Sequence, residues 1–347
     1  MRTRSDRDYT SRVLSMWTGF WRSKVLFAAA QSGIFEAISQ EPQTSEELAS
    51  HLGLDHRMTR DVLEVLTGEG LIVRRRADGV AKYGMDEAAA AVLTAEGTQS
   101  LVALLRLADE RQYAQWGKLN VALRSGEPVG PNGQTTRTVL DELAESEVAA
   151  AGRLGYAIGN VSSSAFSVFA SKINLQDVRT VLDIGGSTGT FSIIMAKAHP
   201  KLHLISFDSP HMAPFARERI NRLGLSKRID VQGGNFFEQL PSCDFAHMSN
   251  ILHDWTGLNR RRLLENSYSA LCPGGRLAIV GPVIGALPNS ASYLVSLNIR
   301  LEMGGEVPTL REMKGSCEAV GFEYVEQMHV DPNATAVIFT KPQSRET

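Results

Sequence analysis

A glycine-rich turn between two apolar runs is the part of this sequence that most directly predicts chemistry. Residues 181–189 read Val-Leu-Asp-Ile-Gly-Gly-Ser-Thr-Gly, and Asp208 ends the next apolar run. Gly185, Gly186 and Gly189 have no Cβ, so the backbone there can turn tightly and approach a ligand closely. An acidic residue at the end of the second strand of a doubly wound sheet accepts ribose hydroxyls. The turn and Asp208 together predict a site for a nucleoside-containing cofactor.

Three other interpretations of the glycine turn require residues that are missing. The dinucleotide fingerprint needs Gly-x-Gly-x-x-Gly, which the spacing from Gly185 to Gly189 does not give. A Walker loop needs a lysine near its end, whereas Thr190 and Phe191 follow the last glycine. Gly185-x-Ser187-x-Gly189 also matches the nucleophile elbow of esterases. No upstream loop of the His-Gly-Gly type accompanies it, so we interpret Ser187 as a small turn residue.

The spacing Asp183-x-Gly185-x-x-x-Gly189, with Asp208 after it, resembles the S-adenosylmethionine loop of class I methyltransferases. Further segments resemble the caffeic acid and hydroxyindole O-methyltransferase family, in its bacterial secondary-metabolite form. They follow in that family's order, and jointly they are specific although each alone is weak: Trp116-Gly117-Lys118-Leu119, Gly126-Glu127-Pro128, Gly234-Asn235-Phe236-Phe237, Ile251-Leu252-His253-Asp254-Trp255 and Leu271-Cys272-Pro273-Gly274-Gly275-Arg276-Leu277.

The resemblance implies S-adenosylmethionine as the cofactor and S-adenosylhomocysteine as its product. It also implies a role in secondary metabolism, including antibiotic biosynthesis. The cofactor contacts that we predict are Asp183, Gly185, Gly186, Gly189, Asp208, Ser209, Gly234, Asn235, Phe236 and Ser249.

Strands and helices alternate from Val178 onward, which predicts a parallel sheet with right-handed crossovers. Two closing strands follow a helix that begins at the capping box Thr309-Leu310-Arg311-Glu312, with Pro332-Asn333 in the turn between them. The resemblance implies an α/β fold for residues 116–347: a Rossmann-like class I methyltransferase domain whose parallel sheet ends in an antiparallel hairpin. The predicted strands are 179–184, 202–207, 228–232, 244–249, 276–281, 322–330 and 335–340.

Residues 1–115 predict a mostly helical domain with a winged-helix pattern. Thr44-Ser45-Glu46-Glu47 is a capping box at a helix start, and Asp55 is placed to cap the next helix. Apolar runs on either side of the turn Asp78-Gly79 predict a β-hairpin wing from Leu71 to Tyr83.

That pattern allows a DNA-binding interpretation, because several basic residues could contact phosphates. Acidic residues in the same region dilute the positive potential that base readout requires. The resemblance implies subunit association instead, so we predict a homodimer formed through this domain and no nucleic-acid partner. The basic residues are Arg57, Arg60, Arg74, Arg75 and Arg76, and the acidic ones are Glu46, Glu47, Asp55, Asp61, Glu64 and Glu69.

Three segments follow the winged-helix pattern in the sequence, and the first of them connects it to the second domain. Residues 99–123 predict one helix, 125–134 a loop rich in Gly and Pro, and 140–171 a helical region with an apolar face. The resemblance implies that part of this face covers the substrate, but ordinary core packing explains an apolar stripe equally well. The predicted substrate contacts are Tyr156, Asn160, Phe166, Trp255, Asn298 and Glu302.

His253 is the predicted general base. A phenol, with a pKa near ~10 by analogy with tyrosine, must lose its proton around the time of attack on a methyl sulfonium, and histidine is suited to accept it. His253 follows a strand ending near Ser249, at the sheet edge where α/β proteins place their sites. The resemblance puts His253 at the catalytic position. Asp254 is predicted as a second catalytic residue, and its role is either a substrate contact or that of a residue favoured at a helix N-terminus.

Three departures from the family pattern leave the receiving atom open. Gly281 stands where the family has a glutamate that orients the base. Gly304-Gly305-Glu306-Val307 puts a second carboxylate one residue early. We predict Glu306 as a catalytic residue that compensates, with the alternative that another group holds His253. Asn235 replaces the usual aspartate, although its amide oxygen can still accept from an adenine amine.

The leading prediction is therefore methyl transfer to a hydroxyl of a small aromatic or polyketide-like metabolite. Transfer to carbon or nitrogen, for example of a 2-oxo acid, is an alternative. So are a winged-helix regulator and a relative without activity.

Composition fits these predictions. The 347 residues are 43% hydrophobic and 21% charged, which is typical of a soluble globular protein of one large or two ordinary domains. A net charge of −2 gives no overall attraction to nucleic acid or to anionic membrane. No signal core or membrane-length apolar run is present, so we expect a cytoplasmic protein without a membrane partner. Cys243, Cys272 and Cys317 lack paired spacing and predict a reducing compartment, and we predict no metal.

Overall fold

A computed structural model describes residues 8–77, 79–130, 148–286 and 290–343. They fall into two compact units, Met1–Tyr113 and Ala114–Thr347, where the sequence predicted a boundary after residue 115. Some predicted features lie outside the described residues: Asp78 of the hairpin turn, 131–134 of the predicted loop and 140–147 of the predicted helical region. No helix in the described part of the chain is long and apolar enough to cross a membrane.

The first unit is helical with a two-stranded wing, as predicted. Both predicted helix starts are present: the Thr44 hydroxyl accepts from the Glu47 amide while the Glu47 carboxylate accepts from the Thr44 amide, and Asp55 caps through the Met58 amide. The elements are α1 Tyr9–Gln31, α2 Ile34–Gln40, α3 Ser45–Leu52, α4 His56–Gly68, β1 Val73–Ala77, β2 Val80–Gly84, α5 Glu87–Leu93 and α6 Val102–Leu107.

The wing carries less free positive charge than its sequence suggests. Arg74 on β1 forms an ion pair with Glu64 of α4 at 2.7 Å, and the Tyr83 hydroxyl donates to the same carboxylate. The pKa of Glu64 is lowered by the hydrogen bonds from Tyr83 and Arg74. The absence of a nucleic-acid partner stays a prediction.

The single connecting helix predicted over residues 99–123 is wrong. After α6 the chain makes a turn of π-helix at Ala108–Gln112, continues as α7 Tyr113–Trp116, and resumes as α8 Leu119–Ser125. The break falls at Gly117 and Lys118, where glycine has low helix propensity and the Lys118 amide bonds to the Gln115 carbonyl instead of continuing the α-helical ladder.

The second unit is built on a sheet in which β5, β4, β3, β6 and β7 run parallel, and β9 and β8 close one edge antiparallel. This confirms the predicted α/β fold with its terminal hairpin. Its elements are α9 Val148–Lys172, β3 Thr180–Ile184, α10 Thr190–Ala198, β4 His203–Asp208, α11 Ala213–Arg222, β5 Ile229–Gly233, β6 Cys243–Ser249, a 3-10 turn Leu252–Asp254, α12 Gly257–Ala270, β7 Leu271–Gly281, α13 Ala291–Met303, α14 Leu310–Glu318, β8 Glu323–Asp331 and β9 Ala334–Thr340.

Strand β7 begins five residues earlier than predicted. Cys243 of β6 pairs with Leu271, but the next pair is Phe245 with Arg276, so the Pro-Gly-Gly segment is a bulge inside the strand. Proline cannot donate to the ladder, and bulges are where strands accommodate it.

The strand order decides where a site can form. β3 lies between β4, which follows it in sequence, and β6, which comes two strands later. The crossovers therefore reverse direction at β3 and β6, and ligands of open α/β sheets bind at the carboxyl ends of strands at such a switch point. The glycine turn after β3, Asp208 at the end of β4 and the segment after β6 all lie at this edge.

Candidate active site

The glycine turn adopts a backbone that requires glycine. Gly185 and Gly189 have φ of 75° and 76°, a region that residues with a Cβ rarely occupy. A Cβ on Gly186 would overlap the Ser206 hydroxyl, and one on Gly185 would overlap the Ile251 side chain. The amides of Gly185 and Gly186 both donate to the Phe207 carbonyl, at 2.8 and 3.0 Å. The turn is thus fixed against the neighbouring strand β4.

Asp208 holds the turn from the end of β4. Its Oδ2 accepts from the Ser187 amide at 2.8 Å and its Oδ1 accepts from the Ser209 amide at 2.6 Å. Burial raises the pKa of Asp208, while the two amides act in the opposite direction. A carboxylate has further lone pairs beyond these two bonds, so Asp208 can still accept from a ligand.

Asp183, a predicted cofactor contact, lies in a buried network beneath the turn. Its Oδ1 is 3.0 Å from Nδ1 of His247, and its Oδ2 accepts from the Ser192 hydroxyl at 2.8 Å. The His247 ring stacks on Phe191 with centroids 3.4 Å apart. Asp183 is 2% exposed and both of its oxygens contact groups within the protein, so it supports the turn from below. Its direct contact with the cofactor stays a prediction.

The segment Gly234–Phe237 meets the end of β4 and Trp255 of the His-Asp-Trp segment. The Gly234 amide donates to the Asp208 carbonyl at 2.8 Å, and a Cβ on Gly234 would lie 2.5 Å from the Phe207 ring. The Asn235 amide oxygen accepts from the Phe237 amide at 3.0 Å, so it closes a local turn. Ser249, the last residue of β6, pairs with Val280 in the sheet.

Trp255 was predicted to contact substrate, and the structure gives it a packing role. Its ring packs edge-on against Phe237, with centroids 4.8 Å apart, and against Phe236 at 5.9 Å. Phe236 therefore contacts the aromatic ring of Trp255 as well as its neighbour Phe237.

His253 lies buried in the 3-10 turn that follows β6. Its Nε2 is 3.3 Å from Oδ1 of Asp254, but the two groups are not aligned for a hydrogen bond, and Asp254 Oδ1 has no hydrogen-bond partner among the described residues. Burial, and then the charge of Arg260, lower the pKa of His253 to about 4. The imidazole is therefore neutral near pH 7 and has a nitrogen that can accept a proton.

Burial shifts the pKa of Asp254 in the opposite direction to that of His253, because burial disfavours the charged form of each group. Burial, and then the charge of Glu302, raise the pKa of Asp254 to about 8. Asp254 is therefore mostly protonated near pH 7, and the two neighbours His253 and Asp254 are both uncharged in this state.

The prediction that the Glu306 carboxylate compensates for Gly281 is wrong in its geometry. Its Oε2 pairs with Arg300 at 2.6 Å and its Oε1 lies 3.8 Å from Arg260. Glu306 reaches His253 only through the backbone, because its amide donates to the His253 carbonyl at 2.8 Å. The Glu306 carboxylate pairs with the guanidinium groups of Arg300 and Arg260 and not with the imidazole of His253.

Gly281 leaves space beside His253. A cavity of about 10 Å³ there is lined by both residues and by Asn250, Pro308 and Met313. A Cβ on Gly281 would lie 3.2 Å from Oδ1 of Asn250. Asn250, with a positive φ of 55°, thus occupies the approach to the position where the family has a carboxylate.

The three predicted substrate residues on the long helix α9 differ in burial. Phe166 is buried against Phe191, with centroids 5.4 Å apart, so it belongs to the core. The Tyr156 ring lies under the Arg219 guanidinium at 5.0 Å. Asn160 is half-buried, and its carbonyl accepts from the Ser163 hydroxyl. Because Phe166 is buried against Phe191, the prediction that it contacts substrate is wrong.

Sequence reasoning missed three glycines of α9. A Cβ on Gly152 would overlap Phe215, one on Gly155 would lie 2.7 Å from the Ser187 hydroxyl, and one on Gly159 would overlap Thr190. The spacing Gly-x-x-Gly-x-x-x-Gly on one helix face was the available signal. Gly155 thus lets α9 approach the glycine turn, while Gly152 and Gly159 give room to Phe215 of α11 and Thr190 of α10.

A second polar chain connects three distant segments. The Trp116 indole donates to Asn298 Oδ1 at 2.9 Å, and the Asn298 amide donates to Glu302 Oε1 at 3.1 Å. The charge of Glu302 acts on Asp254. Of the predicted substrate residues on α13, Glu302 therefore lies near enough to Asp254 for its charge to affect that carboxyl.

Two family models match the chain. One, described as an O-methyltransferase domain, matches residues 156–323. The other, described as an O-methyltransferase dimerisation domain, matches residues 14–95.

Similar proteins span most of the chain. The N,N-dimethyltransferase OxyT of Streptomyces rimosus is 28% identical over 92% of both chains. The 3-hydroxy-5-methyl-1-naphthoate 3-O-methyltransferase of Streptomyces sahachiroi is 30% identical over 76% of this chain and 74% of its own. The crystal structure of human N-acetylserotonin methyltransferase in complex with SAM superposes with a TM-score of 0.86, at 23% identity, over 98% of this chain and 100% of that one.

Proposed function

This chain belongs to the O-methyltransferase family, and from that premise we propose that it transfers a methyl group from S-adenosylmethionine to a hydroxyl of a small aromatic or polyketide-like metabolite. The observation that carries the proposal is that the cofactor turn and His253 follow two neighbouring strands of the sheet. The glycine turn anchored by Asp208 follows β3, and His253 follows the hydrogen-bonded neighbour strand β6. A cofactor site and a proton acceptor thus share one edge of the sheet.

The residues at the turn fit the cofactor. Glycine at positions 185 and 186 keeps side chains out of the turn, and Asp208 has acceptor capacity for ribose hydroxyls. S-adenosylmethionine, when bound, supplies a methyl group activated by the positive charge on its sulfur. The task of the protein is then to hold the acceptor oxygen near attack distance, which by itself can account for much of the acceleration.

His253 acts as the general base in this proposal. A neutral imidazole with a pKa of about 4 is a weak base toward a phenol. However, the acceptor's O–H becomes strongly acidic as its oxygen gains a bond to carbon. A weak base positioned at that oxygen is therefore sufficient if the proton moves during attack.

Exposed apolar side chains close in sequence to the polar residues Asn298 and Ser162 favour an aromatic acceptor. Leu294 lies one turn before Asn298 on α13, so the two share a helix face, and Leu294 is exposed. Ile158 is likewise exposed on α9, one turn before Ser162, whose hydroxyl accepts from Asn250. Apolar surface around a few polar groups is the usual composition of a site for a small ligand.

The acceptor atom has two candidates. The name of the Streptomyces sahachiroi relative supports oxygen, since it acts on the 3-hydroxyl of a naphthoate. Nitrogen is the second candidate, because OxyT, similar over most of its length, is an N,N-dimethyltransferase. Incubation with paired phenol and aniline acceptors, read by mass spectrometry of the methylated product, distinguishes them.

We also propose that the chain acts as a homodimer. The match to a dimerisation domain over residues 14–95 supports this, as does an exposed apolar face on α1.

His253→Ala tests the proposed base. We expect turnover to fall by about 10²-fold or more, since general bases contribute that much, while calorimetry still detects binding of S-adenosylmethionine. His203→Ala, at an exposed histidine paired with Asp230, is the matched control and should retain full turnover. Undiminished turnover in His253→Ala rejects the base, and no affinity of the wild type for S-adenosylmethionine rejects the proposed function.

A further inference from the structure

A second histidine of β6, His247, is buried beside the strand that leads into the glycine turn. It lies in register with Asp183 of β3, and its side chain is 1% exposed. Its Nδ1 is 3.0 Å from Oδ1 of Asp183, while its Nε2 has no hydrogen-bond partner among the described residues. A buried polar atom without a partner costs folding free energy, so packing alone does not explain a histidine at this position.

Three phenylalanine rings hold the His247 imidazole in one orientation. Phe191 of α10 stacks on it, with centroids 3.4 Å apart and an interplanar angle of 4°. Phe166 and Phe169 of α9 pack against it with centroids at 5.8 and 6.1 Å. A ring packed between two helices in a dense core has little freedom to rotate, so the surrounding rings fix the contact between Nδ1 and Asp183.

The Asp183 carboxylate joins the two ends of the glycine turn. Asp183 precedes the turn on β3, and Ser192 follows it in the first turn of α10. The Ser192 hydroxyl donates to Asp183 Oδ2 at 2.8 Å, so this hydrogen bond connects the strand before the turn to the helix after it. The same oxygen would lie 3.0 Å from a Cβ on Gly186. The carboxylate therefore lies against the backbone of the turn itself.

His247 is the second donor to this carboxylate. A carboxylate only accepts hydrogen bonds, so Nδ1 of His247 carries the proton in its contact with Asp183. Ser192 holds Oδ2 and His247 holds Oδ1, and the carboxylate cannot rotate without losing both bonds. Both donors are buried, so no water is placed to replace either of them. The two side chains together fix the orientation of the group on which the turn rests.

We propose that His247 and Ser192 are positioning residues of the cofactor site: by donating to the two oxygens of Asp183, they hold the glycine turn in the conformation that binds S-adenosylmethionine. The inference rests on the proposed function for the identity of the ligand. Neither side chain is exposed, so both act through Asp183 and the turn. The affinity for the cofactor then depends on the hydrogen-bond donor at position 247 and not only on the aromatic ring.

Two substitutions separate the donor of His247 from its ring. His247→Phe keeps an aromatic ring against Phe191 but offers no donor to Asp183. His247→Asn loses the ring but keeps a side-chain N–H, because the amide nitrogen of asparagine is a donor at a distance from the backbone similar to that of Nδ1. A role in packing alone predicts that the asparagine variant is the more damaged of the two. A role as a donor predicts the reverse for cofactor binding.

The experiment measures the affinity of each folded variant for S-adenosylmethionine and S-adenosylhomocysteine by calorimetry, together with its melting temperature. We expect His247→Phe to bind both roughly tenfold more weakly than wild type, which is the size of effect expected when a charged acceptor loses a donor. His247→Asn should recover most of that affinity. Its melting temperature should nevertheless fall, because the lost ring leaves a cavity beside Phe191.

Ile338→Val is the matched control for lost stability. It removes one methylene group from a buried residue of β9 in the same core, so it should lower the melting temperature and bind both ligands as wild type does. Ser192→Ala removes the other donor to Asp183 and leaves every ring in place, and it should also weaken binding. It replaces His247→Phe in the test if that variant does not fold.

Unchanged affinity in His247→Phe, or in Ser192→Ala where it takes that place, overturns the inference. So does an equal loss in His247→Phe and His247→Asn, or a loss in Ile338→Val that follows its melting temperature, since either result means that packing alone sets the affinity. A wild-type protein without affinity for S-adenosylmethionine rejects the proposed function and this inference together. A wild type that binds it but methylates neither phenols nor anilines rejects the proposed function alone, so the two failures are distinguishable.

Discussion

Asp208 illustrates how one residue serves both the fold and the proposed cofactor. Its two oxygens hold the amides of Ser187 and Ser209, so the glycine turn is organised before a ligand binds. Burial raises the pKa of this carboxyl, and the amide bonds oppose that effect. A ribose that donates to the same carboxylate would add to these bonds and further favour its charged form.

Asp208→Asn should weaken the binding of S-adenosylmethionine by roughly tenfold or more. A hydrogen bond to a charged acceptor contributes about 1.5–3 kcal/mol, and an amide keeps one acceptor oxygen only. Calorimetry with S-adenosylmethionine and S-adenosylhomocysteine measures the change. Asp230→Asn, on the exposed side of β5, should bind both as wild type does. Equal affinities in the two variants would remove Asp208 from the cofactor site.

At the scale of elements, the two glycines after α13 decide how the catalytic segment is held. The 3-10 turn Leu252–Asp254 has few residues and little helical hydrogen bonding of its own. Its position depends on the backbone of Gly305 and Glu306, which packs against the His253 carbonyl. Close approach of two backbones is possible only without a Cβ, and this explains why Gly-Gly stands at the end of that helix.

Gly305→Ala should therefore displace the 3-10 turn, lowering both the melting temperature and kcat. The new methyl would overlap the His253 carbonyl, a backbone atom that cannot move alone. Gly315→Ala is the matched control: it lies in α14 with open space around it, and alanine should stabilise that helix by ~0.5–1 kcal/mol. Thermal unfolding and turnover of both variants check the expectation, which an unperturbed Gly305→Ala protein would contradict.

At the scale of the whole molecule, the N-terminal helix α1 presents large apolar side chains to solvent. Met16, Trp17 and Phe20 lie within about one turn of each other, and Trp17 is 61% exposed. Clusters of large exposed apolar groups of this kind mark association surfaces. A second copy of the chain is the partner that the dimerisation-domain match supports.

Trp17→Asp should shift the protein from dimer to monomer in analytical ultracentrifugation. A carboxylate buried in an apolar interface without a partner is strongly unfavourable. Leu258→Asp, at a residue of α12 that is 84% exposed, introduces the same charge away from α1 and should leave the dimer intact. A wild-type monomer at micromolar concentration, or a Trp17→Asp dimer as stable as wild type, would contradict the proposal.

The sequence by itself determined what depends on neighbours along the chain. The capping boxes at Thr44 and Thr309 are each completed within four residues. The glycines at 185 and 189 predict a tight turn, because glycine easily adopts the positive φ values that such a turn requires. Alternating strand and helix patterns were sufficient to predict the sheet and its closing hairpin. The family followed from the order of short motifs.

Only the tertiary structure decided which side chains face each other. Asp183 turned to His247 across the sheet, Phe166 entered the core, and Glu306 paired with Arg300 instead of approaching the imidazole. Such pairings are set by burial and by competition among charges in three dimensions, and spacing along the chain does not encode these directly.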